Sequence, residues 1–144
     1  MKNKGFSFIE LMIVIIIISI LAVFAYPSYH YFITQTRRVD GQTALLQLAN
    51  RMEEYYSKAH TYRGATIATG GLTDVLSKPT SEQNGYELKI IEQTDTYFNL
   101  HAIPTKAQAL ADTLCQTLTF NSLGIKGITS GPQGIPQGVT SQCW

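Results

Sequence analysis

Few residues in this chain are placed to do chemistry. His30, His60 and His101 lie 30 and 41 positions apart, with no H-E-x-x-H and no other metal-ligand spacing. They read as surface or half-buried side chains, and no metal is expected. Cys115 and Cys143 are the only cysteines. Two cannot build a four-ligand zinc site, and they form no C-x-x-C. Gly70-Gly71 reads as a turn, since neither a G-x-G-x-x-G nor a P-loop surrounds it. With no nucleophile, base or carboxylate pair gathered in the sequence, no catalytic residue and no cofactor is expected, and the chain reads as a non-enzyme. The anomalous charge is Glu10.

Glu10 stands at the head of an apolar run. Of the sixteen residues from Leu11 to Tyr26, only Ser19 is polar. Counted from Phe6 the run is 21 residues, roughly 31 Å as a helix at ~1.5 Å per residue. That length matches a hydrocarbon core of about 30 Å. The β-branched stretch Val14–Ile18 would favour a strand in water. In lipid the backbone must satisfy its own hydrogen bonds, so helix prevails. A carboxylate at bilayer depth costs about 2.5–3.5 kcal/mol on insertion scales. Either Glu10 sits in the first helical turn near the headgroups, where the helix dipole favours an anion, or it has a positive partner. Three fates are open to such a segment: a signal peptide cut after Val23-Phe24-Ala25, an uncut signal anchor, or a helix with a role of its own.

The elements around this segment are bounded by length and composition. A chain of 144 residues allows one modest domain plus an appendage. Charged residues make up 15%, against about 25% for typical soluble domains. Formal net charge is +1, and beyond Pro27 nine basic residues balance nine acidic ones, which argues against a general polyanion binder. Eight tyrosines, six phenylalanines and one tryptophan are too many aromatics for a solvated coil.

Lys4-Gly5 followed by Phe6-Ser7-Phe8-Ile9-Glu10-Leu11 resembles the class III leader of type IV pilins, whose typical pattern is Lys-Gly and then Phe-Thr-Leu-Ile-Glu-Leu. Ser7 and Phe8 are mild departures, and Pro27 falls where many members of the family carry a proline. The resemblance is strongest over residues 1–62. It implies a leader, residues 1–5, removed by a prepilin peptidase between Gly5 and Phe6, with N-methylation of Phe6. Residues 6–27 would be a transmembrane and assembly helix kinked at Pro27. Residues 28–144 would form a periplasmic or extracellular globular domain that includes an amphipathic helix, 28–58. Glu10 would meet the Phe6 amine of an adjacent subunit, and a buried charge pair of that kind sets one axial register. Losing Lys2 and Lys4 takes the formal charge from +1 to −1.

The periodicity supports this outline. Leu45, Leu48, Met52 and Tyr55 or Tyr56 recur at three- and four-residue steps, which extends the helix to about Lys58. Thr61 to Gln83 reads as an ordered loop with a short helical turn around Leu72–Leu76. Strands are expected over Tyr86–Glu92, Thr96–Ile103 and Leu114–Phe120, with a short fourth at Ile125–Ile128 and a weakly helical connector at Lys106–Asp112. The expected fold is α+β, a long N-terminal helix packed on a three- to four-stranded antiparallel sheet, the fold the resemblance implies. The tail from Thr129 to Trp144 has no charge and is rich in Gly, Pro, Gln and Ser. A Cys115–Cys143 bond would close it as the disulfide-bounded loop of type IV pilins is closed, and would place the domain in an oxidising compartment. Two free buried cysteines in a cytosolic protein is the alternative.

The resemblance implies a structural subunit of a type IV pilus, major or minor, serving adhesion, twitching motility or DNA uptake. Its partners would be other pilin subunits, the prepilin peptidase and the inner-membrane assembly platform. It would sit in the inner membrane with a cytoplasmic N-terminus, then in the extracellular fimbrium. A DNA-binding competence pilin is one alternative, with Arg63, Lys106 and Lys126 as a phosphate-binding patch. A type II secretion pseudopilin and a signal-anchored or secreted binding domain are the others. Tyr55, Tyr56 and Tyr62 read as packing at the helix–loop junction, and Arg37 and Arg38 as solvated charges at contacts between subunits.

Overall fold

The computed structural model describes residues 7–144. Residues 1–5, Phe6 and the Gly5–Phe6 bond therefore lie outside the described residues. Helix α1 runs from Phe8 to Ala59, 52 residues with Pro27 inside it. The chain divides into two compact units between Ile33 and Thr34.

In the first unit every side chain from Ser7 to Phe32 is exposed. The most apolar 18-residue window has a mean hydropathy of 3.0, so among the described residues α1 is the one helix long and apolar enough to cross a membrane. Ser19, the lone polar residue in the run, donates its hydroxyl to the Ile15 carbonyl at 2.7 Å. That bond back to position i−4 keeps the hydroxyl from seeking a partner outside the helix.

In the second unit the polarity of α1 becomes one-sided. Ala44, Leu45, Leu48, Ala49 and Met52 are buried, the three- and four-residue spacing of a single face. They pack on strands β3 (Tyr86–Gln93), β4 (Phe98–Pro104) and β5 (Thr117–Asn121), through Leu88, Phe98, Leu100 and Leu118 among others. With β6 (Lys126–Thr129) these strands form one antiparallel sheet in the order β3-β4-β5-β6. The burial of β4 alternates along its whole length, the pattern of a strand with one face on a core. The connector after β4 holds a short helix, α2 (Lys106–Ala111), and the tail ends in a single turn, α3 (Thr140–Cys143).

Two local expectations are corrected. The segment around Leu72–Leu76 is not helical: Asp74–Leu76 is strand β2, paired in parallel with β1 (Thr66–Ile67). The cause is Asp74, whose carboxylate accepts from the hydroxyls of Thr66 at 2.6 Å and Thr69 at 2.8 Å and from the Gly70 N–H at 2.7 Å. Those bonds fold the Gly70-Gly71 loop back and lay the two strands side by side. The third sheet strand begins at Thr117 rather than Leu114. Gln116 has φ +46°, which breaks an extended run. Its side-chain amide donates to the carbonyls of Ala109 and Asp112, both at 3.0 Å, and holds that bend.

Candidate functional site

Glu10 lies in the first turn of α1, and its carboxylate accepts the Ser7 N–H at 3.2 Å. That N–H has no partner within the helix, so Glu10 both caps it and complements the positive end of the helix dipole. The partner that the resemblance implies for Glu10 is the Phe6 amine of an adjacent subunit, and Phe6 lies outside the described residues.

The second region is the end of the chain. Cys115 and Cys143 are joined by a disulfide. Beside it, Arg38 of α1 grips Asp112 with two parallel bonds of 2.8 Å, and the side chains are 11% and 1% exposed. Arg38 also donates to the Gln142 carbonyl at 3.3 Å, and Gln42, one turn along α1, donates to the Cys143 carbonyl at 2.6 Å. Oδ1 of Asp112, which accepts from Arg38 Nη2, also accepts the Cys115 N–H at 3.3 Å. The disulfide-closed loop is thus fastened to α1 by charge-assisted and neutral bonds. Arg38 is committed within its own chain, which overturns its reading as a solvated charge at a subunit contact. Arg37 instead lies along Gly85, where a Cβ would stand 3.4 Å from the Arg37 Cβ.

Below this pair, Gln108 is fully buried and donates to the Thr34 carbonyl at 3.2 Å and the Tyr86 hydroxyl at 3.4 Å. Burial pushes the Tyr86 phenol up to about 12, against the opposing effect of its bond with Gln108. Burial likewise lowers His101, on β4. Sequence reasoning missed the group Arg38, Asp112, Gln108 and Tyr86, whose members are joined only by the fold.

Arg63, Lys106 and Lys126 do not form one patch. Arg63 pairs with Asp95 at 3.0 Å at the β3–β4 turn. Lys126 stands 5.0 Å from the centroid of the Trp144 ring, whose indole N–H donates to the Gly127 carbonyl at 2.9 Å. Lys126 shares a row with Phe120 and Leu100. Lys106 opens α2 beyond Pro104, four residues further along β4, about 13 Å at the rise of a strand. Tyr56 and Tyr62 stack at 4.6 Å, and Tyr62 meets Phe98 edge-on at 4.9 Å, which makes them core packing. Among the described residues no three His, Cys, Asp or Glu side chains are grouped to hold a metal.

Comparison with known proteins adds two family matches. Residues 1–26 match the prokaryotic N-terminal methylation motif. Residues 27–119, well over half the chain, match the family described as type IV minor pilin ComP, DNA uptake sequence receptor. The type IV major pilin protein PilA of Myxococcus xanthus is 36% identical over 61 residues, 42% of this chain and 28% of that protein. The type IV major alpha-pilin of Moraxella bovis is 58% identical over 44 residues, 29% of this chain and 28% of that protein. The fimbrial protein FimA of Dichelobacter nodosus is 45% identical over 52 residues, 36% of this chain and 32% of that protein. The chain thus spans less than a third of the length of these curated relatives. A crystal structure of the Neisseria meningitidis non-core minor pilin PilV superposes with a TM-score of 0.49 at 22% identity, covering 73% of this chain and 98% of that one.

Proposed function

The chain belongs to the family of type IV minor pilins described as ComP, DNA uptake sequence receptor, and from that membership we propose that it enters a pilus through its apolar helix and works outside the cell through its disulfide-closed domain. The observation that carries this reading is an exposed apolar helix with one carboxylate at its head, in a segment that matches the methylation motif. A peptidase cuts between Gly5 and Phe6, and the new Phe6 amine is methylated. The helix then leaves lipid for the company of other pilin helices. Its apolar side chains stay out of water in both settings, so the transfer turns on Glu10. In the single chain its carboxylate has the Ser7 N–H as a neutral partner. In a filament the Phe6 amine of a neighbour supplies a full opposite charge, and only one axial offset brings the two together. The inner-membrane assembly platform would be where that exchange takes place.

The test is the N-terminal residue and intact mass of the protein isolated from cells. A chain that begins with methylated Phe6 supports the reading. A chain that begins at Tyr26 makes it a secreted domain, and an intact Met1 makes it an uncut anchor; either result overturns filament entry by this route.

DNA recognition is a second reading, favoured by the description of the family that residues 27–119 match. Because Arg63, Lys106 and Lys126 are dispersed, duplex DNA would have to span the sheet rather than dock on one patch. A salt-dependent mobility shift that is reduced by charge reversal at Arg63 or Lys126 supports it. No shift at low salt rejects it.

A further inference from the structure

Aromatic residues are absent from the middle of the apolar run and crowd its far end. None occurs from Ile9 to Val23, whereas Tyr26, Tyr29, His30, Tyr31 and Phe32 fill five of the seven positions from Tyr26 to Phe32. All five lie on α1. At about 100° per residue they do not share one face of that helix. Measured from Tyr26, His30, Tyr31, Phe32 and Tyr29 stand at roughly 40°, 140°, 240° and 300° around the axis. They form a collar, and Tyr26, Tyr29, Tyr31 and Phe32 are 69%, 63%, 67% and 68% exposed, nearly the same on every side. The His30 ring meets two of its neighbours edge-on, Tyr26 at 4.5 Å and Tyr29 at 6.3 Å.

The distance of this collar from Glu10 is an independent observation. Tyr29 is 19 residues beyond Glu10, about 29 Å of helix at ~1.5 Å per residue. A hydrocarbon core is about 30 Å thick. No charged residue stands between Glu10 and Arg37. With Glu10 at one boundary of a bilayer, the collar therefore reaches the other. Pro27 agrees with this placement. It has no N–H, so the Val23 carbonyl lacks its usual partner one turn on. Such a carbonyl is costly in the middle of a bilayer and tolerable where water and headgroups reach it. A tyrosine combines an apolar ring with a hydroxyl that seeks a polar partner, which suits the boundary between the two media. A protein partner on one side of the helix needs one aromatic stripe. A collar that rings the axis fits a medium that surrounds it.

We propose that residues 26–32 are an aromatic anchor seated among the phospholipid headgroups, on the side of the membrane away from the N-terminus, until the helix joins other helices. The rings of Tyr26, Tyr29, Tyr31 and Phe32 lie against the upper ends of the acyl chains, and the phenol hydroxyls donate to lipid phosphate and ester oxygens. The boundary thus falls past Pro27 rather than at it. Movement in either direction is opposed. Sinking would bury the hydroxyls without partners, and withdrawal would bring Ile20, Leu21, Val23 and Phe24 into water. With the depth fixed at this end, Glu10 is held at the opposite boundary instead of in hydrocarbon. This inference rests on the membrane stage of the reading above and adds to it the part of the lipid that the helix recognises.

The test uses the full chain in vesicles of phosphatidylethanolamine and phosphatidylglycerol that carry a nitroxide either on the headgroup or near the end of an acyl chain. Tyr29→Trp reports on the collar and Ile20→Trp on the middle of the run, with the wild-type chain, whose one tryptophan is Trp144, as background. Fluorescence at position 29 is expected to be quenched about twofold or more strongly by the headgroup label than by the chain-end label, with the reverse order at position 20. Stronger quenching of position 29 by the chain-end label would put the collar in hydrocarbon and overturn the proposal. Quenching at position 20 alone would put the collar in water and overturn it, while the membrane span itself stands. Quenching at neither position would mean that the helix does not enter the bilayer, and would overturn the membrane stage together with the anchor. Headgroup quenching at position 29 that disappears as protein is crowded into the same lipid would assign the collar to neighbouring copies of the helix, against the proposal.

Discussion

Gly41 shows how one residue sets a packing distance. A glycine inside a helix costs about 1 kcal/mol relative to alanine, and α1 bears that cost at a buried position. A Cβ there would stand 2.6 Å from Cδ2 of the Tyr86 ring, and Tyr86 is itself fully buried. The ring lies flat against the helix backbone because no side chain intervenes. Gly41→Ala is expected to gain about 1 kcal/mol of helix propensity and to lose about 1–3 kcal/mol to overpacking. The net result is a lower melting temperature, measured by thermal unfolding of the full chain in detergent. A higher one would show that the ring moves aside at no cost. Asp74 supports a second prediction at this scale. The Thr66 hydroxyl first, with Thr69 and the Gly70 N–H, holds its carboxyl down to about 2, below the ordinary aspartate value of 3.8. The folded value is the lower one, so the contribution is present above pH ~4 and is lost as pH falls towards 2. Amide exchange at Gly70, corrected for its intrinsic rate, is expected to accelerate across that interval, and Asp74→Asn should remove the dependence. A loop equally protected at pH 5 and pH 2 would count against the role of Asp74.

At the scale of elements, the decisive link is the one between α1 and the disulfide loop. Arg38 and Asp112 are 74 residues apart and both nearly buried. A buried pair adds little over a well-packed apolar pair, but removing one partner strands the other charge. Arg38→Met is expected to destabilise the second unit by about 3–5 kcal/mol, and the double variant with Asp112→Leu to recover most of it. Chemical denaturation of the three proteins measures this, and a double variant no better than the single one would refute it. The sequence carried no signal for this pair. Arg37 and Arg38 look alike in the chain, and only the fold sends one to Asp112 and lays the other along Gly85. The strands of the main sheet were legible because Tyr86–Gln93 and Phe98–Pro104 carry an alternation that one buried face requires. The β1–β2 pair was not, since two- and three-residue strands are too short to show a period, and their register comes from the side chain of Asp74.

At the scale of the whole molecule, the apolar run and the second half of α1 were readable for opposite reasons. The run is uniform and long enough to span a bilayer; the second half shows a clear three- and four-residue period. Glu10 breaks the uniformity, and its two readings separate in one experiment. If the carboxylate only caps its own helix, as its bond to the Ser7 N–H does, Glu10→Ala costs about a kcal/mol of helix end and nothing more. If it also pairs with a neighbouring Phe6 amine, the variant inserts in the membrane and is cleaved as before, but enters filaments poorly. The apolar surface that drives helix packing is unchanged in both cases, so insertion and cleavage act as internal controls. Glu10→Gln refines the comparison, because it keeps an acceptor for Ser7 while it removes the charge. The expected outcome in sheared pili is poor incorporation of both variants beside normal membrane levels of each. Normal incorporation of Glu10→Gln would reduce Glu10 to a cap and remove the charge pair from the assembly mechanism.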